Sequence, residues 1–308
     1  MNRVIITGAT GTIGIALIQK FIEEGIEVLA LCHTNSKRIK SIPKSHLVHI
    51  DECDMSNYKN YSYNEKFDVF YHLAWSNTTG QNRNNIEAQV KNIEYTIDAV
   101  KLADRLGCKV FVGAGSQAEY GRVDEKLTAL TPAFPENGYG MAKLCAGRMS
   151  RIECNKRNMK HIWARILSVY GPCDWENALI PLLITNLLEG KSPNLTKGEQ
   201  KWDYIYCKDA ANALYLLGEK GINGKTYCIG SGEDRLLKEY ILQIRNLINS
   251  NVELGFGKIE YSDKQVMNLC ADISELSKDT GFKPRIKFEE GIKETIRWIK
   301  REKKYAKD

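Results

Sequence analysis

Apolar residues fall in two rhythms along this chain. In the first half, short β-branched or apolar runs alternate with longer stretches whose apolar positions recur every three or four residues. Residues 4–7, 27–31, 47–50, 67–74, 109–114 and 161–165 have the length and composition of strands. Residues 13–24, 81–106 and 137–157 have helical spacing. In the second of these, Ile86, Val90, Ile93, Ile97 and Val100 share one face, and Gly107 ends the helix. This alternation predicts an α/β fold: a doubly wound parallel sheet with helices on both faces and right-handed crossovers. Ligands then bind beyond the carboxyl ends of the strands. After Tyr170-Gly171-Pro172 the texture changes. Helical stretches at 179–189, 209–217 and 236–249 alternate with short strands and glycine turns. Residues 1–170 are expected to form the sheet lobe. Residues 171–308 form a smaller C-terminal substrate-binding lobe that caps the cleft and returns segments to the sheet.

The first strand stops in Gly8-Ala9-Thr10-Gly11-Thr12-Ile13-Gly14, and a helical pattern follows at once. The N-terminus of a helix offers unpaired N–H groups and the positive end of the helix dipole, so a pyrophosphate sits well there. The three glycines serve the turn, the approach of backbone to phosphate, and helix–strand packing. A plain turn has no need of this strand–glycine–helix context, and the stretch reads as a Rossmann-type dinucleotide site.

Composition narrows the classes. The chain has 308 residues, 43% of them hydrophobic, which is ordinary for a globular enzyme. No apolar window is long enough to span a membrane, and Met1-Asn2-Arg3 runs into a structural strand without a signal-peptide pattern. A cytoplasmic protein is expected. The nine cysteines form no Cys-x-x-Cys pair, and the five histidines lack metal-ligand spacing, so neither a disulfide framework nor a metal site is expected. A net charge of +6 is mild and implies no nucleic acid. The basic run Lys300-Arg301-Glu302-Lys303-Lys304 suits the last turn of a solvated helix.

The end of the second strand reports on the cofactor. An Asp or Glu there accepts bonds from the ribose 2′-hydroxyl of NAD. Here the chain reads Leu31-Cys32-His33-Thr34-Asn35-Ser36-Lys37-Arg38, with no carboxylate, and Glu27 lies at the other end of the strand. Hydroxyls and the cations Lys37 and Arg38 suit a 2′-phosphate, so NADP(H) is favoured over NAD(H). The plainer reading of Lys37 and Arg38 is a solvated loop.

Three pieces carry candidate chemistry. Tyr139 and Lys143 are four apart on a helix and share a face. An ammonium beside a phenol stabilises phenolate and lowers its pKa toward neutrality, as an acid–base catalyst needs. Gly115-Ser116-Gln117-Ala118-Glu119-Tyr120-Gly121 follows the fifth strand, and Ser116 is placed to hydrogen-bond a carbonyl oxygen. His72-Leu73-Ala74-Trp75 closes the fourth strand, with His72 read as a structural histidine.

Taken in register, these motifs resemble the extended short-chain dehydrogenase/reductase family, the NAD-dependent epimerase/dehydratase group that acts on nucleotide sugars. The likeness runs on through Arg165, Tyr170-Gly171-Pro172, Trp202-Asp203-Tyr204-Ile205-Tyr206 and Thr280-Gly281-Phe282-Lys283-Pro284. The resemblance implies a catalytic triad of Ser116, Tyr139 and Lys143. It implies cofactor contacts at Gly8, Thr10, Gly11, Thr12, Ile13, His33, Asp54, Met55, Leu73, Ala74, Trp75 and Asn92, beside Gly14, Thr34, Lys37 and Arg38 read from the glycine turn and the end of the second strand. For Asp54 the plain alternative is a strand-end carboxylate. Substrate contacts are implied at Asn177, Leu179 and Trp202, and a homodimer through a four-helix bundle of segments 81–106 and 137–157.

The reaction is read from departures. Dehydratases of this group carry Asp-Glu after the hydroxyl residue, where this chain has Gln117-Ala118, so dehydration is disfavoured. Many epimerases have Asn where Ser168 stands and Arg where Trp202 stands, and they use NAD with a carboxylate on the second strand. The remaining expectation is an NADPH-dependent reductase of a nucleotide-diphosphate-linked 4-keto-6-deoxy sugar, similar to bacterial enzymes of deoxysugar biosynthesis. Hydride goes to C4 and Tyr139 supplies the proton. A nucleotide-sugar 4-epimerase is the alternative. A non-catalytic NADP-sensing regulator is disfavoured by the intact Tyr139/Lys143 pair.

Overall fold

Apolar runs that are buried from both sides become a seven-stranded, all-parallel sheet. The computed structural model describes residues 1–305; residues 306–308 of the expected C-terminal lobe lie outside the described residues. In chain order the elements are β1 (Arg3–Thr7), α1 (Thr12–Glu23), β2 (Glu27–Cys32), β3 (Val48–Glu52), β4 (Val69–His72), α2 (Ile86–Arg105), β5 (Val110–Ser116), α3 (Gly138–Lys156) and β6 (Lys160–Ile166). There follow β7 (Ser168–Tyr170), α4 (Leu179–Leu188), β8 (Lys201–Trp202), β9 (Tyr204–Tyr206), α5 (Cys207–Lys220), β10 (Thr226–Ile229) and β11 (Arg235–Leu236). The chain continues through α6 (Leu237–Ile248), β12 (Asn268–Leu269), α7 (Ser274–Thr280) and α8 (Phe288–Tyr305).

The main sheet has the order β10-β6-β5-β4-β1-β2-β3. The order reverses between β1 and β4, and a crevice opens there beyond the strand ends. Helices α1 and α5 pack together on one face of the sheet and α2 and α3 on the other, so the sheet is covered on both sides. The last strand, β10, comes from the second half of the chain and pairs with β6 through Thr226–Ile229. Two small sheets, β11-β8-β12 and β7-β9, lie over the carboxyl edge. Asp203, buried between β8 and β9, holds them to the main body. Its carboxylate accepts from the Ser231, Gly232 and Ala271 amides.

The stretch 81–106 departs from the single helix that its spacing predicts. A 3-10 turn occupies Gly80–Asn84, and α2 starts afresh at Ile86. The cause is local. The side chain of Asn85 caps α2 by accepting from the Ala88 amide at 3.0 Å, and Asn84 Oδ1 is taken by the amide of Gly138. The start of the predicted apolar face also points away from the core, although Val100 at its far end is buried. Ile86 and Val90 are more than half exposed, whereas Gln89, Asn92, Thr96 and Ala99 are buried against the sheet and α3.

Candidate active site

The turn after β1 is shaped by steric necessity. Gly8 has φ of +69°, and a Cβ there would lie 2.7 Å from the amide nitrogen of Ala74, in the turn after β4. A Cβ on Gly14 would lie 2.3 Å from the carbonyl oxygen of Gly8. Only glycine lets α1 pack this closely on its own turn and lets that turn meet the one after β4. Gly11 is the N-cap of α1 and no side chain caps the helix. A Cβ on Gly11 would meet nothing nearer than 3.5 Å, so this side of the turn opens on the cleft. These residues fit a dinucleotide pyrophosphate held at the start of α1.

The cleft beyond the strand ends holds about 530 Å³. Gly8, Gly11, Thr12, Ile13, Gly14, Leu73 and Trp75 line it from the dinucleotide side, with Thr10 and Ala74 in the same turns. Ser116, Tyr139 and Lys143 line its floor. Leu179 and Trp202 face it from the second half of the chain, while Asn177 is exposed just before α4.

Ser116 ends β5 and is held from beneath. Its amide donates to Glu119 Oε1 at 2.9 Å, and its Oγ accepts from the Ala118 amide at 3.2 Å. Glu119 is fully buried and bonds Arg165 Nε at 2.7 Å and Trp163 Nε1 at 3.0 Å. The motif's glutamate therefore fixes the serine's backbone, and a buried arginine neutralises it.

Tyr139 lies in the first turn of α3, which Asn137 caps by accepting from the Gly140 amide at 2.9 Å. Lys143 follows one turn later. Its Nζ donates to the Ala114 carbonyl at 2.7 Å and sits 3.8 Å from the centre of the Trp75 ring. Burial pushes Lys143 down to about 7, with Glu119 opposing. Burial raises the Tyr139 phenol above its usual range, while a hydrogen bond with Ser116 and the charge of Arg83 pull it back. This corrects the expectation that Lys143 lowers Tyr139 toward neutrality. Lys143 is itself desolvated, its ammonium is turned to Ala114 and Trp75, and it lies 5.8 Å from the Tyr139 ring centre. The nearer cation is Arg83, at 4.7 Å.

His72 is buried between Thr7 Oγ1 at 2.9 Å and Thr96 Oγ1 at 3.3 Å, and burial pushes it down to about 3. It is a neutral structural group, as read from the sequence. Asn92 does not line the cleft: its amide bonds the backbone of Ser76 on both sides and so fixes the turn that carries Trp75.

Beyond β2, Lys37 and Arg38 lie on an exposed 3-10 turn. Arg38 donates to the carbonyl of Cys173 and so links this turn to the segment after β7. The carboxylates at the end of β3 are spent on backbone: Asp54 accepts from the Thr34 amide at 2.9 Å and Glu52 from the Asn35 amide at 3.0 Å. His33 Nε2 is 3.6 Å from Asp54, and Met55 starts the next 3-10 turn.

Sequence reasoning misses four residues. Thr78, Asp174 and Tyr204 line the cleft, and burial pushes Asp174 up to about 6. Arg83 stacks on Tyr139 without lining it. Two of them had a usable signal: Asp174 follows the Tyr170-Gly171-Pro172 turn, and Tyr204 lies within the Trp202–Tyr206 motif. The two departures named above prove to be partners: Trp202 Nε1 donates to Ser168 Oγ at 2.8 Å across β8 and β7. Among the described residues no group of three or more His, Cys, Asp or Glu side chains is arranged to hold a metal ion. No helix there is long and apolar enough to cross a membrane.

A glycine cradle at the sheet's switch point and a Ser/Tyr/Lys set over the neighbouring strand ends define an extended short-chain dehydrogenase/reductase, an enzyme class that works with a nicotinamide cofactor. The sequence model of the NAD dependent epimerase/dehydratase family matches residues 4–230, and the chain belongs to that family. It is 24% identical to a dTDP-glucose 4,6-dehydratase of Neisseria gonorrhoeae over 96% of this chain and 95% of that one. It is 25% identical to a dTDP-4-dehydro-6-deoxyglucose reductase of Escherichia coli over 97% and 98%. A UDP-glucuronic acid 4-epimerase of Bacillus cereus, solved in complex with NAD, superposes with a TM-score of 0.85. It is 20% identical and covers 98% of each chain.

Proposed function

We propose that this enzyme is an NADPH-dependent reductase of a nucleotide-diphosphate-linked 4-keto-6-deoxy sugar. The observation that carries the reading is the cleft-lining Gln117, which follows Ser116 in a site where Tyr139 and Lys143 are both in place. An amide neither gives nor takes the proton that elimination of water requires. The site keeps the proton-transfer groups of a carbonyl reduction and has no carboxylate at the two positions that follow Ser116. The full-length likeness to the E. coli reductase supports it.

A nicotinamide cofactor held in the cleft would supply the hydride for the C4 carbonyl carbon. Tyr139 donates its proton to the carbonyl oxygen as charge develops there, and Ser116 Oγ stabilises that oxygen by hydrogen bonding. Lys143 holds the ribose beside Tyr139 and Trp75. Gly8, Gly11 and Gly14 let the pyrophosphate approach the start of α1, and Leu73 and Trp75 close the far wall. Leu179 and Trp202 contact the sugar nucleotide from the second lobe, residues 171–308. The preference for NADPH rests on Lys37 and Arg38 beyond β2, and on Glu52 and Asp54, whose carboxylates serve loop amides. The enzyme works as a homodimer: α2 and α3 lie side by side and expose Ile86, Val90, Met141, Met149 and Ile152.

The test is absorbance at the NADPH band with NADPH or NADH and CDP-, TDP- or GDP-linked 4-keto-6-deoxy sugars. Stoichiometric NADPH loss with one of them is expected. Tyr139→Phe should lose turnover by at least about a hundredfold and keep NADPH binding; retained turnover removes Tyr139 from the mechanism. The second reading, a 4-epimerase, draws on the likeness to the B. cereus enzyme. Tightly held NAD in the purified protein, and a C4 epimer formed without net cofactor oxidation, would replace the reductase reading with it.

A further inference from the structure

We propose that Arg83 is a positioning residue for the proton transfer: its guanidinium, stacked on the Tyr139 ring, stabilises the phenolate as the proton leaves. The proposal rests on Tyr139 as proton donor.

Arg83 belongs to the 3-10 turn Gly80–Asn84 that breaks the predicted long helix. The turn is docked on the start of α3. Asn84 Oδ1 accepts from the Gly138 amide at 3.0 Å, and a Cβ on Gly138 would come within 3.1 Å of the Arg83 carbonyl oxygen. The next residue on α3 is Tyr139, and the Arg83 guanidinium carbon lies 4.7 Å from its ring centre. A cation within about 6 Å of an aromatic centroid is attracted by the ring face, and more so as the ring gains negative charge.

The rest of the arginine's capacity is unspent. Among the described residues Arg83 makes no ion pair, and its Nε is buried without a hydrogen-bond partner. Arg83 as a whole is half-buried, and a guanidinium nitrogen shut from water ordinarily has a partner, since an unpaired buried polar group is costly. Here the Tyr139 ring takes that place, and it becomes an anion during turnover. The other groups bearing on Tyr139 are Ser116, which bonds the phenol, Glu119, which opposes ionisation from beneath β5, and Lys143 on the same helix. Arg83 comes from a separate element docked at the first turn of α3, whereas Lys143 is engaged by the Ala114 carbonyl of β5. The site thus divides two tasks between two cations. Lys143 stands within the cofactor cleft, and Arg83 serves the phenol.

The test reads Tyr139 directly. A fluorinated tyrosine at position 139, with a lowered intrinsic pKa, is titrated by fluorine NMR in otherwise unaltered enzyme, in Arg83→Gln and in Arg83→Lys, with no substrate present. The midpoint should rise by about one pH unit in Arg83→Gln, the usual effect of removing one close opposite charge. Arg83→Lys should recover most of that rise, because it keeps the charge and changes the shape. An unchanged midpoint in Arg83→Gln overturns the proposal, as does equal displacement in both variants, which marks a packing role. With substrate, Arg83→Gln should lower kcat about tenfold, the rate equivalent of one pH unit, at unchanged KM for NADPH. If no 4-keto sugar oxidises NADPH in the unaltered enzyme, the reductase reading falls while the NMR midpoints still decide the role of Arg83.

Discussion

Burial sets the acid–base character of Tyr139 and Lys143. A phenol pushed up stays protonated through the neutral range, as a proton donor for carbonyl reduction must. Lys143, pushed down to about 7, is an ammonium only below that pH. The ammonium is the form that donates to the cofactor ribose most strongly, so kcat/KM should fall as pH rises through about 7. Lys143→Arg keeps the charge at every working pH and should flatten that limb, whatever it costs in absolute rate. A pH profile of kcat/KM for both proteins checks this; an identical limb in the variant would assign the titration to another group, with Asp174 next in line. At this scale the sequence was informative about identity and silent about environment. Ser116, Tyr139 and Lys143 were legible from their motifs. The direction of the Tyr139 shift was not, because desolvation depends on what packs around the phenol.

The turn between β1 and α1 separates two jobs that its glycines share in the sequence. Gly14 lies against the Gly8 carbonyl, so Gly14→Ala forces backbone apart at a cost of about 1–3 kcal/mol. It should lower Tm and weaken NADPH binding together. A Cβ on Gly11 meets only the Gly8 carbonyl oxygen, at an ordinary contact distance of 3.5 Å, so Gly11→Ala should leave Tm nearly unchanged and weaken NADPH binding alone. Thermal melts and fluorescence titration with NADPH separate the two; equal effects would mean that the turn is not built as described. The stretch 81–106 shows how an element misleads. Its apolar period is real, but Asn84 and Asn85 act as a tie and a cap, and the chain starts a new helix at Ile86. The periodicity of one segment does not report which neighbour its face will meet: Val100 at one end of this face is buried in the core, while Ile86 and Val90 at the other end are exposed.

For the whole molecule, that exposed end is the larger consequence. Val90 on α2 and Ile152 on α3 are each more than half exposed, among the apolar residues of the paired helices. A homodimer that buries them should fall to monomer in a Val90→Glu, Ile152→Glu double variant, while NADPH binding persists. Light scattering after gel filtration reads both states; a monomeric unaltered enzyme would remove the dimer. The alternation of strand and helix signals determined by itself the parallel sheet, its helices on both faces and the crevice at the strand ends. Backbone hydrogen bonding and chirality leave few other ways to bury those runs. The glycine spacing and the Ser116, Tyr139 and Lys143 motifs likewise follow from local chemistry. Tertiary structure alone decided that β10 returns to the edge of the sheet beside β6, that Trp202 bonds Ser168, and that Arg83 lies nearer the Tyr139 ring than Lys143 does. Each of these joins residues far apart in the chain, and no local rule of period or propensity carries information across that distance.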